Sequence, residues 1–423
     1  MSRALRSALA ATAFAAAACG GGSKPEPPQY SGPPPLGAPI ARSDGDPIPG
    51  AEEWRWIPFP DSVCTDAVKN GDGSYTFSSG STGLAIDWGD GNDVVVFLQG
   101  GGACWDFITC GGAASLDAAL APVATTGPSG PAEFQANFYA AYPGSWIRRV
   151  NLPAALAHAT VVFVPYCTGD VHGGARDTTY RQPPYPGLSL PPVTWRHRGH
   201  ENVMAFLKRL GATFALGPED RLVVAGSSAG GFGALANYPA FRWYWPDAKA
   251  YLVDDSGPPL AGNAIPASSR AAWYASWNLG ASLGAFCPDC PNDMSAGIRE
   301  LNQRYPADRK ALLSHLQDET IRTFFGTLTL APAPALVPMD AGAFEAALRA
   351  LGAANLAPPS TTAAYFYASG TEHPMLVPDP SAIATPPPGL PAWMEQMLSD
   401  DLAWASAAPP TTAAPEPLAV EAR

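Results

Sequence analysis

Five short apolar runs constrain this chain more than any other feature: residues 93–98 (DVVVFL), 160–165 (TVVFVP), 221–225 (RLVVA), 249–253 (KAYLV) and 364–368 (AYFYA). Each is continuous rather than alternating. A strand with one wet face alternates, whereas a strand covered on both faces reads as an unbroken apolar run. Helical patterns fall between and after them, at residues 201–210, 231–238, 269–284, 294–305, 341–351 and 391–405. Strands alternating with helices predict an α/β fold with a mostly parallel central sheet and right-handed crossovers. Residues 64–92 carry Asp72-Gly73 and Asp90-Gly91 between strand-like residues. They read as antiparallel hairpin material leading into the sheet. The acidic stretch at 87–93 lacks the spacing and terminal Glu of a calcium loop and reads as turn chemistry.

Composition narrows the class. The chain of 423 residues has 25 Lys and Arg against 37 Asp and Glu, a net charge of −12. Nucleic-acid affinity rests on Lys and Arg neutralising phosphates, so no nucleic-acid partner is expected. The hydrophobic content of 47% is enough to bury a core. Pro (47) and Gly (42) together make about a fifth of the chain, which argues against a bundle or coiled coil and for long loops.

The ends read differently from the middle. Residues 1–18 start with Arg3 and Arg6 and continue as an Ala-rich apolar stretch, the pattern of an export signal too short to be a good bilayer span. Cys19 follows four alanines and precedes three glycines and a serine, which resembles a bacterial lipobox. Lipidation of Cys19 is therefore expected, making it the only membrane contact. Residues 19–50 are rich in Gly, Pro and Ser and read as a disordered tether; residues 408–423 read as a disordered tail. One catalytic domain is expected over residues 51–407.

Removing Cys19 from the seven cysteines leaves Cys64, Cys104, Cys110, Cys167, Cys287 and Cys290, an even set that suggests three disulfides in an exported chain. Cys287-Pro-Asp-Cys290 could be a redox motif or half a zinc site. With no second such pair and no His close in sequence, a local structural disulfide is the better reading.

The chemistry centres on Gly226-Ser227-Ser228-Ala229-Gly230. A strand runs into this G-x-S-x-G and a helix follows, as a nucleophile elbow requires. Ser228 is the expected nucleophile. Gly100-Gly101-Gly102 follows the 93–98 strand, where glycine lets backbone N–H groups turn toward a developing oxyanion. The expected donors are Gly101, Gly102 and Ala229. A phosphate cradle is the rival, but the Lys-Ser/Thr of a P-loop is missing. His373 lies in a loop beyond the last strand and is the expected base. His158, His172, His197 and His200 precede the serine, and His315 is placed on a helix close to Asp318. The acid stays open between Asp254 or Asp255, after the 249–253 strand, and Asp318. No cofactor and no metal are implied.

The blocks FLQGGGACW, VPYCTGDVHGG, WRHRGHENV, GSSAGGFGAL and DDSGPP resemble the pectin acetylesterase family, which holds plant pectin acetylesterases and Notum-like carboxylesterases. The resemblance covers about residues 54–405. It implies an α/β-hydrolase-like fold, a serine carboxylesterase, and an acylated polysaccharide such as pectin as the partner, with a longer acyl chain as the alternative. It implies Asp318, in the block QDETIRTFF, as the acid, and Asp255 as a structural residue near the sheet edge. It also implies that Cys104 pairs with Cys110 and Cys64 with Cys167, which leaves Cys287 for Cys290. Where some members carry an aromatic residue, this chain has Gly102. Arg196, His197, Arg198 and His200 are candidates for a basic strip that would offset the net negative charge against a polyanion.

Overall fold

The computed structural model describes residues 30, 32–42, 52–116, 121–124, 130–184, 189–284, 286–329, 335–356 and 362–410. The export signal, Cys19 and most of the tail lie outside these residues.

Eight strands form one sheet: β1 (Trp54–Lys69), β2 (Tyr75–Asp87), β3 (Val94–Leu98), β4 (Thr160–Val164), β7 (Arg221–Ser227), β8 (Lys249–Asp255), β9 (Arg309–His315) and β12 (Ala363–Ala368). Their spatial order is β1-β2-β4-β3-β7-β8-β9-β12. The first two pairings, β1 with β2 and β2 with β4, are antiparallel. From β4 to β12 the sheet is parallel, as the continuous apolar runs require. The main helices are α1 (Gly199–Thr213), α2 (Ala229–Tyr244), α3 (Ala267–Trp277), α4 (Ala296–Arg304), α5 (Glu319–Phe324), α6 (Ala341–Asn355) and α7 (Leu390–Leu398). Two small hairpins complete the set: β5 (Arg176–Tyr180) with β6 (Val193–His197), and β10 (Thr327–Thr329) with β11 (Ala335–Val337).

Side chains alternate across the parallel strands into two cores. Val94, Val96 and Leu98 of β3 pack with Phe206 of α1, Tyr238 of α2 and Leu348 of α6. Val95 and Phe97 face the other way, toward Phe138, Trp393 and Met397. No helix among the described residues is long and apolar enough to cross a membrane.

Four expectations for the catalytic domain change. Residues 309–315 form a strand between β8 and the edge strand β12, so His315 ends a strand rather than lying on a helix. Only Ala311, Leu312 and Leu313 in that segment are apolar. The strand buries Lys310, whose Nζ donates to the carbonyls of Tyr305 and Asp308. The Asp72-Gly73 turn closes the β1–β2 hairpin, but Asp90-Gly91 connects β2 to β3, which are not neighbours. The helix expected over 269–284 stops at Trp277 because Asn278 turns left-handed, φ 57°. The helix expected to reach 405 ends at Leu398.

Residues 32–42, expected to be tether, lie against the domain. Gly37 N–H donates to Lys208 O, Trp243 Nε1 to Gly32 O and Tyr244 OH to Pro35 O. Ile40 is buried in the first core. The low-complexity composition hid one apolar anchor and a row of carbonyls that match helix side chains.

Candidate active site

Strand β7 ends at Ser227, and α2 starts at Ala229, so Ser228 makes the whole turn between them. It does so at φ 60°, ψ −122°, a conformation that β-carbon-bearing residues avoid outside special sites. Gly226 pairs in register with Leu98. A β-carbon on Gly226 would collide with Gly230 O, and one on Gly230 with Leu98 O. The glycines of G-x-S-x-G are thus a packing requirement of the turn. Ser228 is nearly buried at the N-terminus of a 16-residue helix.

The loop after β3 passes against this elbow. A β-carbon on Gly100 would sit 2.6 Å from Ser227 O and 2.9 Å from Ser228 Cβ. Gly102 has φ 71°, forms an antiparallel bridge with Ala124, and leaves no room for a β-carbon beside Val123 O. Gly101 lies between them at φ 151°. Gly102, Ala229 and Ser228 all border one cavity.

The parallel pairing of β9 with β12 continues past the strand ends. Leu316 N–H donates to Ala368 O, Gln317 N–H to Gly370 O and Glu319 N–H to Thr371 O. This stitching sets Asp318 beside the loop that carries His373. Asp318 is fully buried and caps α5: its Oδ1 accepts the N–H of Ile321 at 2.9 Å. Its Oδ2 lies 2.7 Å from His373 Nδ1. A carboxylate accepts, so Nδ1 carries the proton and Nε2 keeps a free lone pair.

Asp255 has a different set of partners. Its Oδ1 accepts from Met375 N–H (2.9 Å) and Ser256 Oγ (3.1 Å), and its Oδ2 from Leu376 N–H (2.9 Å) and Ser227 Oγ (2.5 Å). Its backbone carbonyl accepts the N–H of Ser228 at 2.7 Å. Asp254 is buried behind α2, accepts Gly257 N–H, and has a carboxyl pushed well above the usual range by burial and by Asp255. The carboxylate on the His373 ring is Asp318.

The other histidines are accounted for elsewhere. His172 Nε2 donates to Gln99 O, and burial brings its imidazole down to about 4. His197, between Thr168 O and Tyr180 OH, is brought down to about 3 by burial. His200 meets Asn237 inside the fold. His158 is exposed and pairs with Asp90, and His315 lies 3.9 Å from Glu372. The expected basic strip is dispersed: His197 and His200 are buried, while Asp177 and Glu201 pair with Arg196 and Arg198.

Three disulfides join Cys64 to Cys167, Cys104 to Cys110 and Cys287 to Cys290. The last pair is buried, which fits a structural bridge better than a redox couple. Cys104, Cys110 and His197 group closely enough to hold a metal, but both sulfurs are spent in a disulfide and offer no thiolate.

A cavity of about 510 Å3, counted to its open mouth, adjoins Ser228. Its walls are apolar: Trp105, Phe232, Trp273, Trp277, Met294 and Phe324 among others. Trp273 and Trp277 lie parallel, 6.2 Å apart, and Trp105 meets Trp273 edge-on. Trp277 Nε1 donates to Cys104 O and Ser276 Oγ to Trp105 O, which ties α3 to the segment following the glycines. Trp105, Phe232 and Phe324 fall in the blocks FLQGGGACW, GSSAGGFGAL and QDETIRTFF, whereas Trp273, Trp277 and Met294 fall in none of the quoted blocks.

A family model described as pectinacetylesterase matches residues 60–275, 216 of the 423 positions. The matched stretch includes the glycine loop, Ser228 and Asp255, and ends before Asp318 and His373. Two crystal structures of the Wnt deacylase Notum from Drosophila are similar at 18% identity, covering 81% of this chain and 94% of Notum. Crystal form I gives a TM-score of 0.48 and crystal form II 0.47. No curated protein matches.

Proposed function

The chain belongs to the pectinacetylesterase family, and from that premise we propose that it is a serine carboxylesterase using Ser228, His373 and Asp318. The observation that carries this reading is the 2.7 Å bond from Asp318 Oδ2 to His373 Nδ1. It fixes the tautomer that leaves Nε2 as the base. In the proposed cycle Nε2 takes the Ser228 proton as Oγ attacks the ester carbonyl. The N–H groups of Gly101, Gly102 and Ala229 hold the oxyanion. His373 then gives its proton to the departing alcohol. Water, activated by the same nitrogen, releases the acyl group from Ser228. Loss of one such oxyanion donor typically costs about 2.7–4 kcal/mol of barrier. The test is hydrolysis of p-nitrophenyl esters by Ser228→Ala, which should be abolished in a folded protein.

The cavity supports an acyl group longer than acetyl. Its walls are tryptophan, phenylalanine and methionine, an apolar lining that suits a hydrocarbon chain. A second reading, removal of O-acetyl groups from a polysaccharide such as pectin, is favoured by the family match. Rates on acetyl, butyryl, octanoyl and longer esters, set beside acetate release from acetylated pectin, separate the two. A rise toward octanoyl supports the longer chain, and a steep fall supports the deacetylase.

Three disulfides suit an exported protein, since such bonds persist outside the reducing cytosol. The lipid anchor at Cys19 belongs to this proposal. Metabolic labelling with a fatty acid should mark the wild type and not Cys19→Ser.

A further inference from the structure

Asp255 and the loop after His373 form a junction that the proposed triad does not use. We infer that Asp255 is a positioning residue that locks the nucleophile elbow to the base loop; this rests on the serine esterase reading above. One carboxylate receives four donors. Two, Met375 N–H and Leu376 N–H, come from the segment just after His373. A third, Ser227 Oγ, comes from the residue before Ser228. The fourth is its neighbour Ser256. The same residue's carbonyl holds Ser228 N–H. Asp255 is completely buried, so water does not substitute for any of these partners.

The geometry gives the junction a specific task. Asp318 orients the His373 ring from one side, through Nδ1. Its carboxylate bonds to His373 and to Ile321 of its own helix, and neither bond reaches β7 or the elbow. Asp255 touches both halves, and its strand β8 is the neighbour of β7 in register, with Asp255 opposite Ser227. Ser256 then turns at φ 59° and gives its N–H to Leu313 O of β9. The junction is therefore braced by three adjacent strands. A shift of about 1 Å between reacting groups can cost about a hundredfold in rate, so this span is where such a shift would be prevented.

Asparagine is the informative replacement. It keeps the volume but has one oxygen and an NH2 group. A serine hydroxyl can rotate to accept from that NH2, whereas a backbone N–H cannot. Asn at 255 therefore leaves Met375 N–H or Leu376 N–H facing a donor, and the base loop moves. Ser227→Ala is the milder partner variant, because it removes one donor and leaves both backbone bonds.

The experiment compares wild type, Asp255→Asn, Ser227→Ala and Ser228→Ala on a p-nitrophenyl ester, with thermal melting as the check on folding. Rates are counted per Ser228 labelled by a fluorophosphonate run to completion. Asp255→Asn should lower kcat by about a hundredfold and Ser227→Ala by about tenfold, with KM within about twofold of wild type. Both the acylation burst and the steady state should slow, because His373 serves both steps. A merely structural role would lower the melting temperature and leave kcat per labelled site unchanged. If Ser228→Ala is inactive while the folded Asp255→Asn turns over at the wild-type rate, the inference is overturned and the serine reading stands. Should Asp255→Asn not fold, an unchanged kcat in Ser227→Ala overturns it instead. Activity retained by Ser228→Ala would remove the reading and the inference together.

Discussion

Asp318 divides its carboxylate between His373 and its own helix: Oδ2 meets His373 Nδ1 at 2.7 Å, while Oδ1 caps α5 through Ile321 N–H. Asp318→Asn keeps the cap, because Asn caps as well as Asp. It presents an amide or a mis-set oxygen to the imidazole, and the favoured tautomer is lost. The expected result is a fall in kcat of about ten-thousandfold with little change in melting temperature. Steady-state kinetics beside a melting curve check both halves of the statement, and a drop of less than about tenfold would speak against Asp318 as the acid.

Gly102→Ala tests the glycine loop. At φ 71° an alanine is strained, and its methyl has no room beside Val123 O. The loop must move away from Ser228, and at least one oxyanion donor goes with it. A fall of about a hundred- to a thousandfold in kcat is expected, as for loss of one donor. Unchanged turnover by Gly102→Ala would mean that the loop does not serve the oxyanion.

Trp273→Ala probes the acyl pocket. It removes one of the two parallel indoles and opens the cavity wall. The kcat/KM for octanoyl ester should fall more than that for acetyl ester, since only the longer chain reaches the wall. An equal fall on both would place the acyl chain elsewhere.

Acid stability has a contribution that can be isolated. Burial brings His172 from the ordinary 6.5 to about 4. With the folded value below the unfolded one, the unfolded chain takes the proton first as pH falls. The His172 contribution is complete above 6.5 and is lost as pH falls toward 4. Asp170, raised by burial from 3.8 to about 6, acts with opposite sign over its own window. The difference between wild type and His172→Gln therefore isolates the imidazole. The urea midpoint of the variant should vary less between pH 6.5 and 4, and parallel curves would contradict this.

Much of this architecture is legible in the chain, and the failures have physical causes. The parallel core strands were visible because burial on both faces leaves an unbroken apolar run. Strand β9 was hidden by Lys310, which is buried only because two carbonyls receive its ammonium. Ser228 and the glycines were legible because a strained turn and a close approach admit few residue types. The choice between Asp255 and Asp318 was not, since both are buried aspartates at or just past a strand end and differ in what faces them. The family resemblance implies Asp318, and the carboxylate facing the His373 ring is that of Asp318. Phe324 of α5 closes on the glycine loop, its Cζ 3.1 Å from where a β-carbon on Gly102 would lie. A contact between segments more than two hundred residues apart leaves no local signal.

The central claim is that Ser228 carries the acyl group. The most direct measurement is mass spectrometry of the protein after reaction with a fluorophosphonate, run beside ester hydrolysis by Ser228→Ala. The account predicts one adduct, on the peptide containing Ser228, and no labelling or turnover in the folded variant. An adduct on another residue, or hydrolysis by Ser228→Ala at the wild-type rate, would contradict it.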